Sequence, residues 1–185
     1  MRDHPIYIRP IEEGDAPALL DLKQRNRSSF QPFEPIRDEA HFTLEGQQKE
    51  IAGCLSAMRQ DQSYIYAICL AAGHKLIGRI ALTGISRGPF QNAYMGYYID
   101  QAYQGRGYAT AAAALCARHA FSELGLHRVQ AAVMPSNPAS VRVLEKAGFR
   151  REGLAERYLR MNGVWEDHAL YAMTSEERVL GMDGL

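Results

Sequence analysis

The chain has 185 residues, 46% of them hydrophobic and 23% charged, with 21 basic side chains balanced by 21 acidic ones. That is enough apolar material for a buried core, and the zero net charge argues against a protein held directly on nucleic acid by bulk electrostatics. No window approaches the roughly eighteen apolar residues of a membrane span, the N-terminal stretch lacks the apolar core of a signal peptide, and Cys54, Cys69 and Cys116 are too few and too scattered for a disulfide framework, so a cytoplasmic protein is expected.

In chain order, residues 6–11 (IYIRPI) alternate as a strand does. Residues 14–26 predict a helix with Asp15 as its N-cap and an apolar stripe at Leu19, Leu20 and Leu22. Residues 28–40, with two prolines and the aromatics Phe30 and Phe33, read as a loop, and a helix follows over 41–60. Three strands come next, at 63–71, 75–86 and 92–100, separated at hairpin spacing by Gly73 and by the Arg-Gly-Pro of 87–89. A helix is predicted over 107–124, a strand over 127–134 and a helix over 138–147 closed by Gly148. The chain ends with a strand pair, 149–163 and 165–174, around the turn Asn162-Gly163.

The chemistry concentrates at the turn Gln104-Gly105-Arg106-Gly107-Tyr108-Ala109. A glycine-rich turn at a helix start offers several free N–H groups in one concavity, with the positive end of the helix dipole behind them. Gly105 and Gly107 let backbone approach an anion without Cβ atoms intervening, and Arg106 adds a charge. A phosphate is the natural occupant; a bare helix-entry turn is the alternative. A dinucleotide site does not fit, because Thr110 stands where the third glycine belongs and the following strand ends without an acidic residue. Upstream, Gly96 interrupts 94-YMGYYI-99, as at a bulge or a close backbone approach. A strand of that kind leading into a phosphate turn suits a long ligand whose amide-bearing arm pairs with the strand.

Gln104, Gly107 and Ala109 fit the pattern Q/R-x-x-G-x-G/A, and 137-NPASVRVLEKAGF-149 is similar to N-x-x-A-x-x-L-Y-x-x-x-G-F at the right distance downstream. Together they resemble the two motifs of the GNAT superfamily of acetyl-CoA-dependent N-acetyltransferases, over roughly residues 5–175. Residues 30–42, 88–100 and 153–174 are similar to the RimJ branch of the RimJ/RimL-like enzymes, whose members acetylate the N-terminal alanine of a ribosomal protein, with RimL-type and spermidine acetyltransferases next in likeness. The resemblance implies one GNAT domain over 1–185: an α/β fold with a mixed, twisted sheet of about seven strands flanked by helices and splayed at the cofactor strand. It implies acetyl-CoA as cosubstrate, no metal, and direct attack by the N-terminal α-amine of a protein. It implies a monomer, although Phe30 and Phe33 suit a partner surface equally. A small amine, such as a polyamine or an aminoglycoside, is the alternative acceptor. A CoA-binding sensor or ribosome-assembly factor without turnover is the alternative of another class.

Residue by residue, the resemblance assigns the diphosphate to Gln104, Gly105, Arg106, Gly107, Tyr108, Ala109 and Thr110, and the pantetheine to Tyr97 and Ile99. The Tyr97 N–H is the expected donor to the thioester oxygen. Leu144 replaces the superfamily's tyrosine acid, and the likeness to RimL-type enzymes, which carry a serine where Ser140 stands, implies Ser140 as proton donor to the thiolate; Ser140 as a helix hydroxyl bonded to an upstream carbonyl is the plain alternative. Asn137 is expected to touch the cofactor, or else only to cap its helix. Tyr94 occupies the position of a common glutamate base, so Glu34, Asp167 and His168 remain; Glu34 is preferred, and His168 suits a packed core. Cys116, among helical alanines, is expected to be a small buried hydrophobe. An α-amine titrates near ~7.7–8.0 and a lysine near ~10.4, so deprotonating the α-amine costs about 3.5 kcal/mol less, which suits a site without an obvious strong base.

Overall fold

In this computed structural model residues 5–177 are described. Strand β1 (Ile6–Pro10) is followed by helices α1 (Ala16–Arg25), α2 (Arg27–Phe30) and α3 (Leu44–Arg59). Strands β2 (Ser63–Leu70), β3 (Leu76–Ser86) and β4 (Asn92–Ile99) form a meander, and α4 (Tyr108–Ser122), β5 (Arg128–Val133) and α5 (Pro138–Lys146) come next. Strands β6 (Arg150–Met161) and β7 (Val164–Thr174) close the chain around Asn162 and Gly163, both at positive φ.

The strands make one seven-stranded mixed sheet in the order β1-β2-β3-β4-β5-β7-β6. Every neighbouring pair is antiparallel except β4 with β5. One sheet face packs against α4 and α5, and the other against α1 and α3. Helix α4 buries Ala112, Ala113, Cys116, Ala117 and Ala120, a small-residue stripe that lets its backbone lie close to the sheet. Cys116 is fully buried there, and burial pushes its thiol pKa up. It is the inert core cysteine the sequence suggested.

Three expectations are corrected. Asp15 makes no side-chain capping bond to α1. Its carboxylate instead accepts from Arg9 at 2.6 and 2.8 Å and from the Glu12 N–H at 2.9 Å, because a short 3-10 turn runs ahead of the helix. The 28–40 loop is partly helical, with α2 running into the 3-10 turn Gln31–Phe33. Helix α3 begins at Leu44, where the Thr43 hydroxyl accepts from the Gly46 N–H at 3.1 Å.

Strand β3 holds β4 at a close approach. A Cβ on Gly78 would lie 2.4 Å from the Tyr98 carbonyl oxygen and 2.9 Å from Ile99 Cδ1. Gly78→Ala is therefore expected to destabilise the protein by roughly 1–3 kcal/mol as β4 is pushed from its partner. A denaturant midpoint equal to that of the unmodified chain would show that the strands have room to spare.

Candidate active site

β4 and β5 pair only through Asn92, Ala93 and Tyr94 against Arg128, Val129 and Gln130. Beyond Tyr94 the strands part. Gly96 keeps regular register with Ala81 on β3, and that ladder shifts only between Thr83 and Ser86. The expected bulge at Gly96 is therefore absent; the splay is the separation of β4 from β5. A Cβ on Gly96 would meet no atom within 4 Å, so the glycine faces open cleft.

Strand alternation shows which amides face the gap. The Asp100 N–H donates to the Ile77 carbonyl at 2.8 Å, and the Tyr94 carbonyl accepts from Thr83 Oγ1 at 3.3 Å. Even-numbered residues of β4 thus point to β3, and the backbone groups of Tyr97 and Ile99 point the other way. The Ile99 carbonyl already accepts from Gln104 Nε2 at 3.1 Å.

The gap opens into a cleft of about 830 Å³ that reaches both sheet faces. On the α4 side it is walled by Gln104, Gly105 and Gly107–Thr110 from the glycine turn, and by Asn137, Ser140, Arg142 and Lys146 from α5. Gly105 and Gly107 have φ of +74° and +78°, and a Cβ on either would meet nothing within 4 Å. The first N–H groups of α4 lack intrahelical acceptors, as at any helix start. Arg106 is not part of this wall; its guanidinium lies 5.6 Å from the centroid of the Tyr103 ring.

Asn137 lines the cleft and also caps α5, its Oδ1 accepting from the Ser140 N–H at 3.1 Å. The Ser140 hydroxyl lies 2.8 Å from Tyr97 Oη rather than on an upstream carbonyl. Burial pushes the Tyr97 pKa up to about 12, with the Ser140 bond pulling the other way, so the phenol keeps its proton at neutral pH. Leu144, at the expected tyrosine position, is buried core.

The opposite end of the cleft is walled by α1–α3 and β3. Glu34 lines it, 3.7 Å from Arg37 Nε, and its backbone carbonyl accepts from the Asn162 N–H of the β6–β7 turn at 2.8 Å. Phe30 also lines the cleft with its ring 5.2 Å from that of Tyr98, whereas Phe33 is 42% exposed at the mouth. The other base candidates are not cleft residues. His168 is buried, with Nδ1 at 3.0 Å from the Glu166 carbonyl, and Asp167 Oδ1 accepts from the Arg157 N–H at 2.8 Å. Tyr94 is exposed on the sheet face.

Sequence reasoning missed a charged group at this end. Glu50 of α3 accepts from Lys23 Nζ at 2.8 Å and Arg79 Nη1 at 2.6 Å, with His41 Nδ1 at 3.3 Å. It also missed Arg142 and Lys146, one turn apart on α5. The i, i+4 spacing of the latter pair was a usable signal; the Glu50 group, drawn from four separate segments, left none. Among the described residues no group of three or more His, Cys, Asp or Glu side chains is placed to hold a metal ion, and no helix is long and apolar enough to cross a membrane.

Residues 6–150 match the family model described as acetyltransferase (GNAT) domain. The chain is 42% identical over 177 residues to the probable N-acetyltransferase YjcK of Bacillus subtilis (strain 168), covering 96% of this chain and 98% of that one. It is 31% identical over 172 residues to the [ribosomal protein uS5]-alanine N-acetyltransferase of Escherichia coli (strain K12), covering 93% and 89%. The solved structure of Mycobacterium smegmatis RimJ in complex with CoA-disulfide superposes with a TM-score of 0.89 at 31% identity, over 93% of this chain and 83% of that one.

Burial pushes the Glu50 pKa up, but bonds from His41, Lys23 and Arg79 outweigh it and hold the carboxyl well below its usual range. A depressed folded-state pKa means stability that is present above the unfolded value of about 4.3 and lost as pH falls towards the folded one. Between pH 6 and pH 3 the native chain should therefore lose more stability than Glu50→Gln in parallel denaturant titrations. Equal losses would show that Glu50 contributes nothing to acid sensitivity.

Proposed function

Because this chain belongs to the acetyltransferase (GNAT) family, we propose that it transfers the acetyl group of acetyl-CoA to the N-terminal α-amine of a protein, a ribosomal protein beginning with alanine. The observation that carries this reading is the parting of β4 from β5, with the Tyr97 and Ile99 amides turned into the gap beside an open glycine turn. The residues present fit the cosubstrate: the cradle at Gly105 and Gly107 is one that Cβ atoms would fill, and Arg142 and Lys146 add positive charge to the same wall. We read residues 1–185 as one such domain, acting in the cytoplasm where ribosomal proteins are made.

Acetyl-CoA, when bound, supplies the activated carbonyl that the amine attacks. The chain supplies the surroundings. The N–H groups from Gly105 to Thr110 hold diphosphate at the positive end of α4. The Tyr97 and Ile99 amides hold the amide-bearing arm as a neighbouring strand would, and the Tyr97 N–H is aimed where negative charge develops on oxygen. Ser140 Oγ gives its proton to the departing sulfur and regains one through water from the nitrogen that has attacked, while the Tyr97 hydroxyl at 2.8 Å, protonated at neutral pH, holds Ser140 in place. Arg106 and Asn137 play smaller parts in this reading, one stacked on Tyr103 and the other capping α5.

The acceptor enters from the opposite end. Glu34 is the carboxylate that receives the incoming ammonium and passes its proton to water. A polyamine is a poor fit, because the reacting ammonium takes Glu34 and Glu50 is already shared by two cations. That leaves no free carboxylate for a second ammonium among the described cleft residues.

Thiol release measured with Ala-, Ser- and Met-starting peptides and with spermidine tests the function. Alanyl peptides should turn over fastest. Spermidine as the best acceptor would replace the reading with a small-amine enzyme, and no thiol release at all would leave a CoA-binding protein without turnover. Gly107→Glu should abolish CoA binding in calorimetry, since it fills the cradle and repels phosphate. Ser140→Ala should lower kcat by roughly 100-fold with little change in KM, as expected when a proton donor is lost; an unchanged kcat removes Ser140 from the mechanism.

A further inference from the structure

The cleft has two halves built from distant parts of the chain, and one buried contact joins them. Asn26 ends α1 and begins α2, whose Ser29 and Phe30 wall the acceptor side. Asp100 ends β4 and caps the 3-10 turn Gln101–Tyr103 that leads into the glycine turn. Both residues are 1% exposed. Asn26 Nδ2 donates to Asp100 Oδ1 at 3.1 Å and to the Leu22 carbonyl at 2.8 Å, while Asn26 Oδ1 accepts from the Gln101 N–H at 2.9 Å. The carboxylate of Asp100 also accepts from Arg25 Nη1 at 2.8 Å and from the Ala102 N–H at 3.2 Å.

The same two residues reach both walls through their backbones. The Asn26 carbonyl accepts from Ser29 Oγ and from the Phe30 N–H, each at 2.9 Å. The Asp100 carbonyl accepts from the Tyr103 N–H at 2.8 Å, and Gln104 Nε2 returns to the Ile99 carbonyl at 3.1 Å. Hydrogen bonds joined by short stretches of backbone therefore lead from the first turn of the acceptor wall to the residue that opens the phosphate turn. Inside a protein, linked buried hydrogen bonds polarise and strengthen one another.

We propose that Asn26 and Asp100 are positioning residues that couple the two half-sites, so that CoA and acceptor peptide each tighten the binding of the other through this clasp. Neither residue touches a reacting atom. When bound CoA orders the glycine turn, Gln101 and Asp100 are held, Asn26 is held by them, and α2 is fixed where the peptide docks. Thermodynamic linkage makes the effect reciprocal. The inference rests on the peptide-acceptor reading given above.

The test is calorimetric and requires no turnover. The dissociation constant of an alanine-starting peptide is measured with and without saturating CoA, for the unmodified chain, Asn26→Ala and Asp100→Asn, alongside thermal melts. CoA should tighten peptide binding to the unmodified chain by about fivefold or more, within the usual range of allosteric coupling. Asn26→Ala should reduce that ratio to less than about twofold. Asp100→Asn, which keeps an oxygen for Asn26 but not the charged partner of Arg25, should fall between. A merely structural role would lower melting temperatures and leave the ratio unchanged, and that result overturns the proposal. If Asn26→Ala does not fold, the ratio in Asp100→Asn decides. Absence of tightening in the unmodified chain overturns the proposal too. If CoA binds but no alanyl peptide does, the acceptor reading falls and the coupling with it; if both bind and the ratio is constant, only the coupling falls.

Discussion

β4 and β5 stay together for three residue pairs and then separate, and the rest of the site depends on that separation. An unpaired strand amide facing the inside of a protein is costly unless something accepts from it. Two such amides, from Tyr97 and Ile99, are nonetheless turned into the gap. β4 is held on its other side by β3, with Gly78 allowing the close approach, and β5 is held by β7 along six residue pairs. Both strands are thus paired on the sides away from the opening. A strand-like partner would pair with both amides, which is why the cleft suits a ligand that carries its own amides.

The two ends of the cleft differ in chemistry, and the difference orders the reaction. The α4 side offers backbone donors, a helix dipole and the cations Arg142 and Lys146, all suited to phosphate. The opposite end offers aromatic walls and a carboxylate, Glu50, whose charge is spent within the protein. Burial alone would push the Lys23 ammonium towards neutrality, and the contact with Glu50 opposes that. Such a group holds α1, α3 and β3 in one arrangement more than it stabilises the fold, since desolvation offsets much of the attraction. Between the ends lies the Tyr97–Ser140 pair, where a strand from one side of the opening meets a helix from the other.

Much of this was legible from local pattern. Alternation located β1, runs set off by turn residues located the other six strands and the hairpins, and the two motifs pointed to the cleft by resemblance. The errors have physical causes. Asp15 resembled a cap because acidic residues at helix starts usually are caps; Arg9 claimed its carboxylate first. Gly96 resembled a bulge because glycine weakens a strand, but here it only leaves room. His168 and Asp167 look reactive in a list of residues, yet strand alternation and the β6 register shifts spend them on packing and on a backbone bond.

What the sequence determined by itself is the seven strands, the longer helices, their order and the glycine turn, because each depends on backbone preferences and on periodicity over a few residues. The tertiary structure alone decided which amides are unpaired, that Ser140 meets Tyr97, that Glu50 gathers Lys23, Arg79 and His41, and that Asn26 grips Asp100. Apart from His41, which lies nine positions from Glu50, those contacts join residues 27 to 74 positions apart. Local propensity carries no information about such distances; only the packing of α1, α3 and α5 onto the sheet brings the partners together.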